Sequence, residues 1–130
     1  MNNDTEPAES ARTRFADWTH GAEKIAFQTC ASCLATWYFR RHFCPCCGAT
    51  APIDRCSRGS GIVQAVTVVA RAPSERLRAF APYCIVLVDL DEGFRMMAHG
   101  AKDLQIGDLV HARFVTVADL LTPYFDRSAA

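Results

Sequence analysis

The chain carries no surplus of charge and almost no lysine. Fourteen basic side chains balance fourteen acidic ones, and only Lys24 and Lys102 are lysines. A generic polyanion binder would carry excess base, so this balance argues against one, and no nucleic-acid partner is expected. No apolar stretch approaches the ~20 residues that span a bilayer, so no membrane partner is expected either. Residues Met1 to Ser10 are polar and acidic, with no apolar core of a secretory signal. A cytoplasmic location is therefore expected, and a disulfide framework, which needs an oxidising compartment, is not. The sequence also lacks a nucleophile elbow and a Gly-rich phosphate loop. The four histidines, His20, His42, His99 and His111, lie in separate segments and read as structural or solvated. No residue is assigned a catalytic role, and no cofactor-binding residue is identified.

What the chain does have is cysteine. Cys30 and Cys33, and Cys44 and Cys47, form two Cys-x-x-Cys knuckles separated by a ten-residue loop. Each such turn aims two thiolates at one point, and two turns complete the tetrahedral shell of structural Zn²⁺. Pro45 stiffens the second turn, and Gly48 can take a positive φ there. These four residues are the expected metal ligands. Iron in place of zinc also suits four sulfurs. His42 or Cys46 could replace a ligand, but the four cysteines already have the standard spacing. A redox Cys-x-x-Cys would sit in a βαβ pattern, and none surrounds Cys30. Cys84 lies in an apolar run and reads as a small buried hydrophobe. Cys56 reads as an incidental thiol. With seven cysteines, full pairing within one chain is impossible.

The remaining pattern is mostly β. Residues 1–10 read as a disordered tail. Residues 11–24 read as an N-terminal helix with Phe15 and Trp18 on one face. Residues 25–57 read as a rubredoxin-like zinc ribbon, opened by a short strand at Ile25 to Gln28. Trp37, Tyr38 and Phe39 lie between the knuckles, where they would cover the metal site or the joint to the next module. Alternatively they, with Phe15 and Trp18, would face a partner. Ser57 to Gly61 is a turn signal. Residues 58–130 then read as a barrel. Strands are expected over Ile62 to Ala70, Tyr83 to Leu90, Phe94 to Ala98, Leu109 to Val117 and from Leu120 to Phe125. Arg71 to Ala81 reads as a loop, and Asp103 to Asp108 as a helical turn or tight loop. Five short strands in ~70 residues suit a closed Greek-key OB barrel, which hides its edges. Asp89, Asp91 and Glu92 read as turn chemistry. Between Arg40 and Arg78 seven arginines face only Asp54 and Glu75. That imbalance is either a solvated face or a site for phosphate or an acidic partner.

Taken in order, these pieces resemble a known family. The knuckles Cys30-x-x-Cys33 and Cys44-Pro45-x-Cys47-Gly48 are followed by Gly59-Ser60-Gly61-Ile62-Val63 and Thr67-Val68-Val69. Then come Ala81-Pro82-Tyr83, Val86 to Arg95, and Leu104 to Val110. The order and spacing are similar to those of zinc-ribbon plus OB-fold proteins long known as a domain of unknown function and often called acyl-CoA-associated. The resemblance covers about Phe15 to Phe125. Two departures are Leu34, where the family usually has glycine, and Phe39-Arg40-Arg41-His42, where it usually has a proline-rich segment. The resemblance implies a non-catalytic accessory subunit of a thiolase-superfamily enzyme: a thiolase, an acyltransferase or an aldolase acting on acyl-CoA or related substrates. It also implies a hetero-oligomer in which a CoA thioester can be bound at the complex. Two other functions are compatible with the modules. One is a single-stranded nucleic-acid binder that stacks bases on Tyr38, Phe94 and Phe114. The other is a stand-alone acyl-CoA binder that holds phosphate with Arg55 or Arg58.

Overall fold

The computed structural model describes residues 16–128. The anticipated disordered tail, residues 1–10, lies outside this range, as does most of the expected face around Phe15. From residue 16 to 24 the expected helix does not form. Only a 3₁₀ turn, Trp18–His20, is present. The Asp17 side chain accepts from the Thr19 N–H, and Gly21 ends the turn at φ 87°. A cap and a left-handed stop this close together leave no room for a second helical turn.

Three strands follow: β1 (Ala26–Thr29), β2 (Thr36–Trp37) and β3 (Ile53–Cys56), in the order β2-β1-β3, all antiparallel. The next five are β4 (Ser60–Val69), β5 (Tyr83–Leu90), β6 (Arg95–Gly100), β7 (Leu109–Val117) and β8 (Leu120–Arg127). They close into a barrel in the order β4-β5-β6-β8-β7. The β6–β8 pairing is parallel and short, His99 to Tyr124 and Gly100 to Phe125. The other barrel pairs are antiparallel. One helical turn, α1 (Glu75–Arg78), interrupts the β4–β5 loop.

Strand β5 alternates strictly, with Cys84, Val86, Val88 and Leu90 buried. Val63, Met96, Val110 and Phe125 fill the same interior. Gly61 is required where β4 crosses β5: a Cβ there would lie 2.3 Å from the Asp89 carbonyl oxygen.

The ribbon and the barrel share one core. Ile25 and Phe27 of the ribbon belong to the same buried cluster as Phe94. Phe94 follows the β5–β6 turn and stacks on Phe27 at 4.6 Å between ring centres. Tyr38 lies parallel to Phe94 at 5.7 Å. Glu92, in the same turn, accepts from Ser57 Oγ at 2.7 Å and from the Arg58 N–H at 2.8 Å. The acidic turn therefore does more than reverse the chain. It ties the ribbon's exit segment to the barrel.

Candidate metal centre

Local backbone geometry builds the two knuckles in the same way. The Cys30 N–H bonds the Ala35 carbonyl and the Leu34 N–H returns to the Cys30 carbonyl. The second turn repeats this, with Cys44 to Ala49 and Gly48 to Cys44. Short strands β1 and β2 hold the first knuckle, and an isolated bridge from Phe43 to Thr50 holds the second.

The turns converge. The sulfurs of Cys30, Cys33, Cys44 and Cys47 all lie within 4.8 Å of one another. Cys30 and Cys47 are 3.6 Å apart, as are Cys33 and Cys44. Four sulfurs at Zn–S bonds of about 2.3 Å in a tetrahedron stand about 3.8 Å apart, so the observed edges fit a metal. They are far longer than a disulfide's ~2.05 Å. The four residues are placed so that they could hold one metal ion. Cys46 and Cys56 are exposed and stand outside this group, as does the exposed His42.

Backbone donors support the sulfurs. Cys30 Sγ accepts from the N–H groups of Ser32 and Cys33, and Cys44 Sγ from those of Cys46 and Cys47. The Cys33 N–H, followed by that of Ser32, draws the Cys30 thiol down to about 6 against the pull of burial. At Cys33 the Ala35 N–H also favours the thiolate. There the thiols of Cys44, Cys47 and Cys30, together with burial, outweigh it and push the value up to about 12. Sulfurs this close resist ionising together. A divalent cation removes that repulsion and lets all four bind as thiolates. Four cysteine ligands would fill a tetrahedral shell and leave it no position for water or substrate.

The aromatics between the knuckles are held within the chain. Trp18 Nε1 donates to Tyr38 Oη at 2.8 Å. Trp37 Nε1 donates to Gln28 Oε1 at 2.7 Å. Gln28 is buried, and it also accepts from the Arg41 N–H and donates to Asp54. Trp18, Trp37 and Tyr38 thus secure the ribbon and its joint, while Phe39, tilted against Tyr38 at 5.2 Å, and Phe43 stay exposed. Gln28 was not singled out in the sequence, where a polar residue in a short strand looks solvent-facing. A cleft of about 300 Å³ opens beside this joint, lined by Trp18, Phe27, Tyr38, Phe39 and Arg40 among others.

The remaining candidates stand apart from the metal. Cys84 is buried in the barrel, and burial pushes its thiol up. His99 packs on Tyr83 at 5.1 Å, and burial lowers its pKa. Both line a cleft of about 170 Å³ at the β5–β6 surface. His20 pairs with Asp17, and His111 with Ser60 Oγ. Arg55 Nε donates to Thr29 Oγ1.

Comparison with known proteins places the barrel. Residues 56–115 match the sequence model of the ChsH2 C-terminal OB-fold domain. The whole chain is also similar to two solved structures. One is the Ltp2–ChsH2(DUF35) aldolase, at 23% identity and a TM-score of 0.68, covering 98% of this chain and 95% of that one. The other is a DUF35-family protein of unknown function from Sulfolobus solfataricus, at 15% identity and a TM-score of 0.59, covering 96% and 95%. No curated protein matches the chain. The family match and the shared fold support the resemblance drawn from the sequence, to an OB-fold protein of the DUF35 kind. Among the described residues, no helix is long and apolar enough to cross a membrane.

Proposed function

We propose that this chain is a zinc-binding accessory subunit of a thiolase-superfamily enzyme acting on acyl-CoA or related acyl substrates. The observation that carries this reading is the joined architecture. A four-cysteine ribbon shares its core with a barrel that matches the ChsH2 OB-fold model, and 98% of the chain follows the fold of a chain in the Ltp2–ChsH2(DUF35) aldolase. Cys30, Cys33, Cys44 and Cys47 would hold Zn²⁺, which when bound fixes the ribbon's two turns. With four thiolates the ion has no free coordination position, so its role is structural. The chain itself does not catalyse, and the larger subunit supplies the nucleophile and the acyl chemistry. The complex is a cytoplasmic hetero-oligomer, with the CoA thioester bound at the assembled enzyme.

The test is reconstitution. The chain is co-expressed with the thiolase-superfamily protein encoded nearest to it. Co-elution in size-exclusion chromatography, and loss of the larger protein's activity when this chain is omitted, are the expected results. A chain that neither binds nor activates that protein would overturn the proposal. Turnover of an acyl-CoA by this chain alone, abolished in Cys84→Ala or His99→Gln, would overturn its non-catalytic part.

A further inference from the structure

Two clefts adjoin on the barrel, and no metal-centre cysteine lines either. One, of about 170 Å³, opens over the start of β5 and the end of β6 and is walled by Phe80, Tyr83 and Val115. The other, of about 310 Å³, lies between α1 and the β7–β8 turn and is walled by Leu77 and Leu120. His99 and Val117 line both, so the two meet there. Arg76 Nη2 donates to the Ala118 carbonyl at 2.8 Å and ties the β4–β5 loop to the β7–β8 turn beside the second cleft. This is the side of an OB barrel that ligands use: the second and third strands, with the loops that follow the first and fourth.

The charge around these clefts is one-sided. Lys102 lines the first and Arg76 the second, and no carboxylate lines either. Lys102 has no ion pair among the described residues, and Asp103 beside it is held by Arg127. His99 brings a further polar group. Among the described residues the hydrogen-bonded histidines are His20 and His111, and the ring nitrogens of His99 have no partner. No buried side-chain nitrogen or oxygen there is left without a partner, so these nitrogens open to the clefts that the ring lines. Burial holds the ring below its ordinary 6.5. At neutral pH it is therefore an uncharged imidazole with one donor and one acceptor. Apolar walls with a few convergent polar groups are the usual composition of a small-molecule site.

We propose that these adjoining clefts bind a small monocarboxylate with an apolar body, such as a medium-chain fatty acid. Its carboxylate meets Lys102 and the His99 N–H, and its chain runs past Val117 toward Leu77 and Leu120. The inference is independent of the accessory-subunit reading. One ammonium in the smaller cleft suits one negative charge, and the apolar walls reward a hydrocarbon chain. A bare phosphate would leave those walls without a partner. A nucleic-acid strand needs a positive groove that tracks its backbone, and this chain has no excess of base.

Isothermal titration calorimetry of the full zinc-loaded chain with octanoate, below its micellar range, is the test. Octanoate should bind at one site per chain. Octan-1-ol keeps the chain but lacks the charge, and inorganic phosphate lacks the chain; each should bind far more weakly. Lys102→Gln, at an exposed position, should keep the melting temperature and weaken octanoate binding by roughly tenfold or more. Val117→Phe should fill the junction of the clefts and abolish binding. Phe39→Ala, which alters the separate cleft beside the ribbon, should bind as wild type does. No binding of octanoate, or equal binding by Lys102→Gln, would overturn the proposal. Loss of binding in Phe39→Ala would move the ligand to the ribbon cleft and overturn it too. Phosphate that binds as tightly as octanoate would leave a plain anion site, against the proposal. Binding of oligothymidylate in place of octanoate, weakened in Lys102→Gln, would reassign this face to nucleic acid and overturn it.

Discussion

Replacing Phe94 with alanine tests whether the ribbon and barrel are one folding unit. Phe94 is only 4% exposed and stacks on both Phe27 and Tyr38. Truncating a buried phenylalanine costs ~3–5 kcal/mol, as transfer energy plus the cavity left behind. The two aromatic contacts, at ~0.5–1.5 kcal/mol each, place this site toward the upper part of that range. A domain of this size is stable by roughly 5–15 kcal/mol, so the loss is a large share. Urea unfolding followed by tryptophan fluorescence and by far-UV circular dichroism measures it. Trp18 and Trp37 report on the ribbon, and circular dichroism is dominated by the barrel strands. In wild type the two probes should give one shared midpoint. In Phe94→Ala the midpoint should fall, with the fluorescence transition moving to lower urea than the barrel transition. The cavity loosens the joint but leaves β4 to β8 paired. Zinc content should remain at one per chain, because the ligands do not touch Phe94. An unfolding free energy within ~1 kcal/mol of wild type would refute the claim that this stack holds the modules together.

Further outcomes follow from the site and its surroundings. Cys44→Ser should lose zinc and loosen the ribbon, whereas Cys46→Ser should retain one ion; metal analysis of the purified variants decides. Gln28→Leu should cost ~2 kcal/mol or more, because the Trp37 indole N–H and the Arg41 N–H lose their buried acceptor; chemical denaturation measures it. The carboxyls of Asp89, through Arg95, and of Asp108, through the Gln105 N–H and then Arg127, are held below their ordinary value of 3.8. The unfolded chain therefore binds their protons first. The stability they contribute is complete above pH 3.8 and is lost as pH falls through the folded values. Denaturation midpoints measured down that range should show a steeper acid loss in wild type than in Asp89→Asn. Burial lowers His99 from its ordinary 6.5, so below that pH the unfolded chain takes up a proton that the folded chain resists. Stability should decline from pH 6.5 downward, and His99→Gln should flatten that slope.

How much could be seen in the sequence varies from residue to residue. Strand β5 matches its apolar run, Tyr83 to Leu90, because a buried strand in a closed barrel needs little help from the rest of the chain. The clustering of Cys30, Cys33, Cys44 and Cys47 was legible for a similar reason. Spacing within each knuckle is a local property, and the chemistry of four thiolates leaves few alternatives. Strands β2 and β3 were not legible. Thr36–Trp37 is too short to show a period, and Ile53–Cys56 is charged at its centre. Both exist because β1 pairs with them. The helix expected over residues 11–24 followed from two aromatics three positions apart. Over residues 16–24 that signal was overridden by Gly21 and by the pull of Tyr38 on Trp18.

Composition and local spacing, by themselves, determined that this chain brings four cysteines together in two knuckles and closes a small β-barrel behind them. Those features depend on neighbours a few residues away or on a strand's own alternation. Tertiary structure alone decided what the aromatics are for. In the sequence Trp37 and Tyr38 read as a cover for the metal site or the joint, with a partner surface as the alternative, and the fold shows Trp37 bound to Gln28 and Tyr38 held between Trp18 and Phe94. It also decided which large apolar side chains stay at the surface, Leu34, Phe39 and Ile106 among them. That depends on where the rest of the chain goes, and pairwise spacing carries no record of it.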